Sequence, residues 1–410
     1  MTAEALKILI ISIVVIFYIF ETVLSIINLK YQTSELPDEV KDFYDQEKYA
    51  KSQQYKRTNT IFSLVTSTFT MLVVVLMLIF DGFAYVDRLA RSITSNPLLV
   101  SLLFFAILYY AYDILTLPFE IYDTFVIEEK FGFNRTTVKT FVLDKIKGWL
   151  LTLVIGGIIL GLIVWIYLKT DKYFWLLALG VIAVFQIFFG MFYTDLIVPL
   201  FNKLSPLPEG ELRTALENFA KKVGYSLKNV YVIDSSRRST KLNAYFSGLG
   251  PKKKIILYDT LVEKLEPNEI VAVLAHEVGH YKHRHILKLT VLSLVITGFY
   301  LYLFQIFSHS KVLAQALGAN EPSFHIAAIA LGILYEPLDF VINILTRILS
   351  RKFERQADEF AKNNANAQDL IRALKKLSVE NLSNLTPHPV YVFFYYSHPP
   401  LLERIKLLKS

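Results

Sequence analysis

The 410-residue chain contains no cysteine. Disulfides, thiolate metal ligands and a cysteine nucleophile are therefore excluded together, and no redox compartment is implied. Charge is sparse as well: Asp, Glu, Lys and Arg make up 19% of the residues against 54% hydrophobic, and mean hydropathy is +0.42. A soluble domain of this length carries more charge and less apolar surface, so the chain reads as an integral membrane protein. The charge that is present leans positive, +7 net with pI about 9.1. Its basic residues sit between apolar spans, which points to the anionic head groups of a lipid bilayer and not to nucleic acid.

Seven apolar runs are long enough to cross a bilayer, at about 8–27, 61–86, 97–118, 148–168, 174–194, 286–307 and 324–348. The first does not read as a cleavable signal, because it is too long, holds Glu21 and lacks a small-x-small site after it. Lys and Arg number six in 28–58 and five in 119–147, against two in 87–96, two in 169–173 and one in 308–323. The positive-inside rule then places the first pair of loops in the cytoplasm, with the N-terminus outside and both long segments, 195–285 and 349–410, cytoplasmic. The expected fold is an all-α polytopic membrane protein with a small α+β cytoplasmic domain. Its parts are helices 1–5 with their loops (1–194), the α+β domain (195–285), helices 6 and 7 (286–348) and a helical tail (349–410). Glu21, Asp113, Glu336 and Asp339 lie within spans, where they are expected to face one another or a watery interior, and Pro337 should break the seventh helix.

Within 201–285 the pattern predicts an amphipathic helix from about 211 to 223 stopped by Gly224, a strand at Val230–Ile233, and a β-hairpin of Asn243–Ser247 and Lys254–Tyr258 about a turn at 248–252. From Pro267 a helix is expected to run straight into the sixth span. It carries His276-Glu277-Val-Gly-His280. With only eight histidines in the chain, a chance H-E-x-x-H is on the order of one per cent. Four-residue spacing puts both imidazoles on one helix face, where they can close on one Zn²⁺ per chain with Glu277 beside it as general base. Gly279, a poor helix former, suits a place where another backbone or a substrate comes close.

Catalytic zinc takes three protein ligands, so one must come from elsewhere. A metzincin arrangement fails, since 283 is His instead of Gly and 286 is Ile instead of His. Downstream, Glu354 and Asp358 stand one helical turn apart. That spacing also describes a solvated helix face, but with the upstream motif it predicts Glu354 as third ligand and Asp358 as acceptor of a ligand histidine's N–H. His283 and His285 read as interfacial polar residues. His398, in Ser397-His-Pro-Pro400, suits either an aimed side chain or a simple turn.

These residues resemble the type 1 CAAX prenyl endopeptidases, integral-membrane zinc proteases of the gluzincin class. The similarity rests on Phe125–Asn134, Pro199–Gly210, Asn243–Phe246, His276–His280, Phe353–Asp358 and Ser397–Arg404, six motifs in order along almost the whole chain. It implies seven helices forming a barrel around a water-filled chamber. It also implies that Asn243, with Ala244, and His398 hold the substrate and its oxyanion while Arg404 supports the site. The partner implied is a polypeptide, with or without a prenyl group on a C-terminal cysteine. Only about a dozen residues separate Tyr258 from Val271, where eukaryotic relatives often carry a long charged insertion. The chain therefore leans towards a compact, bacterial type, which leaves open the natural substrate and whether the membrane is a bacterial inner membrane or the endoplasmic reticulum. Two other readings stand beside this one: a quality-control protease for misfolded or stalled membrane proteins, and a seven-span receptor or transporter with structural zinc. The second has no need of the glutamate between the histidines.

Overall fold

The computed structural model describes residues 1–33, 35–225, 229–248 and 253–410. Six helices are long and apolar enough to span: α1 Ala3–Lys30, α2 Gln46–Ile79, α4 Pro97–Phe131, α5 Val138–Lys169, α6 Phe174–Phe201 and α10 His285–Phe307. A short α3, Gly82–Ile93, lies between α2 and α4. After a short α11, Lys311–Ala316, a seventh span is a broken one, α12 Phe324–Leu334 followed by α13 Glu336–Asn364, bent by 57°. The break falls at Tyr335 and Pro337, where the missing proline N–H makes a new helix start easier than a continued one. The second expected span, 61–86, is cut short. Asp81 adopts a left-handed backbone, φ 54°, and turns the chain into α3.

Packing runs from α1 to α2, α3, α4, α5, α6, α10, α12 and back to α1, which closes a ring. One apolar core plugs its end, built from Leu6, Leu78, Phe83, Phe104, Phe174, Phe304 and Phe324 among others. The middles of the helices bury almost nothing: α1 has no buried residue between Ile10 and Leu24, α2 none between Thr60 and Leu78, and α6 none between Ala178 and Thr194. A ring with packed ends and unpacked middles is a hollow barrel. Of the intramembrane acids, Asp113 faces none of the others; Lys145 Nζ and Trp149 Nε1 each donate to it at 2.8 Å across the α4/α5 seam.

At the opposite end sits the α+β domain. Four strands, β1 Leu204–Pro206, β2 Val230–Ile233, β3 Ala244–Ser247 and β4 Lys254–Tyr258, form a sheet in the order β1-β2-β4-β3. β2 and β4 run parallel, the other two pairs antiparallel, so the expected hairpin is present with β3 at an open edge. Gly248, at φ 88°, starts its turn, and the remaining turn residues 249–252 lie outside the described ones. α7 Glu211–Lys222 ends before Gly224 as expected, and α8 Asp259–Lys264 follows β4. α9 Pro267–Lys282 then carries the histidine motif. It does not continue into the sixth span, because Arg284 at φ 56° breaks it from α10. The tail folds as α14 Ala367–Glu380, α15 Pro389–Tyr395 and α16 Leu401–Lys409. A single core joins Val40, Tyr44 and Tyr49 of the first loop to Leu216, Leu257, Leu274, Leu370 and Ile405.

Candidate active site

α9 is held firmly where it starts. Pro267 stands in its first turn, and Glu266 and Glu269 form a reciprocal capping box that satisfies two otherwise free backbone donors. Lys376 Nζ reaches the Glu269 carboxylate at 2.7 Å, fastening the helix to α14. Ile270, Leu274, Ala275 and Val278 are buried, which turns His276 and His280 towards α13.

There the side chains converge. His276 Nε2 lies 3.2 Å from His280 Nε2, Glu354 Oε2 lies 3.3 Å from His276 Nε2, and Glu354 Oε1 lies 3.3 Å from His280 Nε2. Four-coordinate bonds of about 2.0–2.1 Å, as zinc makes to imidazole and carboxylate, put ligand atoms roughly 3.3–3.4 Å apart. The two imidazole nitrogens and the Glu354 carboxylate are therefore close enough together to meet on one ion. Glu354 is buried, and its Oε2 has no hydrogen-bond partner among the described residues, an arrangement costly for a carboxylate unless a cation meets it. Burial alone would lower the pKa of His276, yet its hydrogen bond to Asp358 and the Glu354 carboxylate beside it push it up to about 9, so this spot attracts positive charge. The residues present thus fit a metal ion.

What lets α13 come so near is Gly279. A Cβ there would stand 2.9 Å from Ala357 Cα, so the close approach is to the backbone of the other helix. Asp358, one turn past Glu354, accepts from His276 Nδ1 at 2.8 Å, which leaves Nε2 free for the metal. Arg404 of α16 grips the same carboxylate through Nη2 at 2.6 Å and Nε at 2.8 Å. Glu277 follows His276 on the same helix and is half-buried, and burial pushes its carboxyl above its ordinary value. His398, on the exposed loop before α16, brings Nε2 to 3.2 Å from Glu354 Oε1, and Ser397 Oγ bonds its Nδ1 at 2.9 Å. Asn243 and Ala244 lie at the start of the edge strand. The Asn243 Oδ1 accepts from the Ala244 N–H at 2.8 Å, leaving its amide group directed elsewhere. Asn243, His398 and Arg404 line one cavity.

Two further residues belong to this neighbourhood. His285 is buried, not interfacial: its Nδ1 meets His280 Nδ1 at 3.0 Å, its Nε2 meets Gln356 Oε1 at 2.9 Å, and its ring stacks on Phe353 at 4.1 Å. On an unbroken helix, five residues turn about 140° around the axis and would carry His285 away from His280. The left-handed Arg284 returns it, and no local pattern announces that break. Asn381 likewise could not be read locally; its side chain accepts from the Leu242 N–H at 2.8 Å and donates to the Leu242 oxygen at 3.0 Å, fixing the backbone just before Asn243.

Residues 206–410 match the family model of peptidase family M48, and residues 25–203 match that of the CAAX prenyl protease N-terminal region of five membrane helices. The chain belongs to peptidase family M48. It is an integral-membrane metalloendopeptidase, and the resemblance read from its motifs holds. The CAAX prenyl protease 1 homolog of Homo sapiens is 32% identical over 424 residues, covering 92% of this chain and 89% of the human one. That of Arabidopsis thaliana is 34% identical, covering 97% and 96%. Among solved structures, S. mikatae Ste24p superposes with a TM-score of 0.92 at 33% identity, over 98% of both chains. This M48 member thus shares the whole barrel and not the catalytic domain alone.

Proposed function

We propose that this M48 protease is a zinc enzyme that cleaves near the C-terminus of membrane-associated polypeptides, including those prenylated at a C-terminal cysteine. The observation that carries the reading is the cluster of His276, His280 and Glu354, whose facing atoms lie 3.2–3.3 Å apart and can meet on one ion, with Glu277 next along the helix. Bound there, zinc supplies a Lewis acid that polarises a carbonyl and acidifies a water. Glu277 takes the water's proton and later hands it to the leaving amine. His398 donates to the oxyanion, and Asn243 with the Ala244 edge strand holds the substrate backbone by strand addition. Asp358 keeps His276 in the ligating tautomer, and Arg404 holds Asp358 in place.

The reading also assigns orientation. Basic loops 28–58 and 119–147 meet the α+β domain and the tail at one end of the barrel: Val40, Tyr44 and Tyr49 pack into that core, while Arg238 bonds Asp144 at 2.8 Å. That end is cytoplasmic by the positive-inside rule, and the N-terminus lies on the other side. The working units are helices α1–α6, the 195–285 domain, the two spans after it, and the tail that brings His398 and Arg404. A hollow barrel admits a flexible chain end and leaves folded proteins outside, which suits C-terminal processing.

The deciding experiment is mass spectrometry of the products from prenylated and unprenylated CAAX peptides, using the zinc-loaded full chain in detergent with Glu277→Gln as blank. Cleavage three residues from the end, faster with the prenyl group, is the expected result. Equal, sequence-indifferent cleavage of both peptides and of unfolded proteins overturns the prenyl-substrate reading in favour of quality control.

A further inference from the structure

A cavity of about 710 Å³ opens beside the metal ligands, within the size range of roughly 300–1,000 Å³ common for small ligands. Asn243, His398 and Arg404 form one part of its wall, and α2 forms another with Lys56 and Asn59. Among the described residues no aspartate or glutamate lines it. Its two permanent cations differ in one respect. Arg404 is matched by Asp358, whereas Lys56 has neither a carboxylate nor a hydrogen-bond acceptor among the described residues. Its recorded neighbour is the Tyr391 ring, 5.8 Å from Nζ to the centroid. Other lysines nearby are partnered, Lys241 by Glu128 at 2.6 Å and Lys375 by Asp42 at 2.6 Å. A half-buried ammonium without a counter-charge is unfavourable by itself and attracts an anion.

We propose that Lys56 is the subsite for the free α-carboxylate at the substrate's C-terminus. This rests on the reading that the enzyme cleaves near a chain end. The three residues released by such a cut reach at most about 10 Å when extended, and His398 and Lys56 both line the cavity that would receive them. Lys56 then measures the distance from the chain end to the scissile bond, which fixes how many residues are removed. An ammonium at a carboxylate also selects against chain interiors, which bring no charge to this place.

The test compares one peptide as free acid and as C-terminal amide, cut by the zinc-loaded full chain in detergent. Wild type should favour the acid by at least about tenfold in kcat/KM, mostly through KM, the weight of one hydrogen bond between charged groups. In Lys56→Met the acid-to-amide ratio should fall towards one, while Lys56→Arg keeps most of it. Zinc content and Tm measured on each preparation show that the protein compared is folded. Equal cutting of acid and amide by wild type overturns the subsite and leaves the protease reading standing. Retention of the full preference in Lys56→Met also overturns it. If wild type cuts neither peptide, the functional reading beneath it falls first and takes the subsite with it.

Discussion

Gly279 and Ala357 are in backbone contact: a Cβ on Gly279 would come within 2.9 Å of Ala357 Cα and 3.1 Å of its carbonyl oxygen. The histidine helix α9 and the Glu354 helix α13 cross at that point, and the crossing sets the distance between the two halves of the metal site. Alanine at 279 must push them apart by several tenths of an ångström. Gly279→Ala should lose about 1–3 kcal/mol of stability from overpacking and bind metal less tightly than wild type. Thermal melts with and without zinc, plus zinc content at low free zinc, read this. An unchanged Tm and unchanged metal affinity would mean the crossing tolerates a methyl group and does not govern the site.

Glu277 makes no ligand contact in the triangle, so its loss should separate binding from chemistry. Glu277→Gln should keep zinc and fold while turnover drops by at least about two orders of magnitude, the lower weight of a general base. Near-normal kcat in a zinc-loaded preparation would remove it from the proton-transfer role.

Ligand and supporting residues should differ in kind. Glu354→Ala should leave zinc occupancy low. Asp358→Ala and His285→Ala should each weaken retention about 10- to 100-fold while keeping some zinc, because each orients one histidine instead of binding the ion. Dissociation rates into a chelator measure all three. If His285→Ala releases zinc no faster than wild type, its 3.0 Å contact with His280 is only packing.

Asn243 and Asn381 are neighbours with opposite expected consequences. Asn243 is exposed and its amide makes only the local bond from the Ala244 N–H to Oδ1, so Asn243→Ala should lower kcat/KM with little change in Tm or zinc. Asn381 makes two hydrogen bonds to Leu242, and Asn381→Ala should lower Tm by the loss of both, in the range of about 1–3 kcal/mol. A melting curve and a kinetic titration on the same preparations distinguish them. Loss of stability in Asn243→Ala with unchanged kinetics of the folded fraction would make it a turn cap.

The sequence by itself determined the parts that depend on spacing along a few helical turns or on mean hydropathy. The spans are of this kind, because about 20 apolar residues are needed to cross a bilayer wherever they sit in the chain. So is the pairing of His276 with His280, since four residues return a helix to the same face. The tertiary structure decided the contacts that depend on how separate elements cross. Glu354 meets the histidines only because Gly279 admits α13, and α13 is set at its angle by the 57° break before Pro337. His285 supports His280 only because Arg284 takes a left-handed conformation that favours no L side chain and leaves no mark in the local pattern. Lys56, one of six basic residues in its loop and an ordinary interfacial lysine by position, is distinguished only by a cavity whose walls come from α2, the strand edge and the tail, and in which no acid among the described residues meets it.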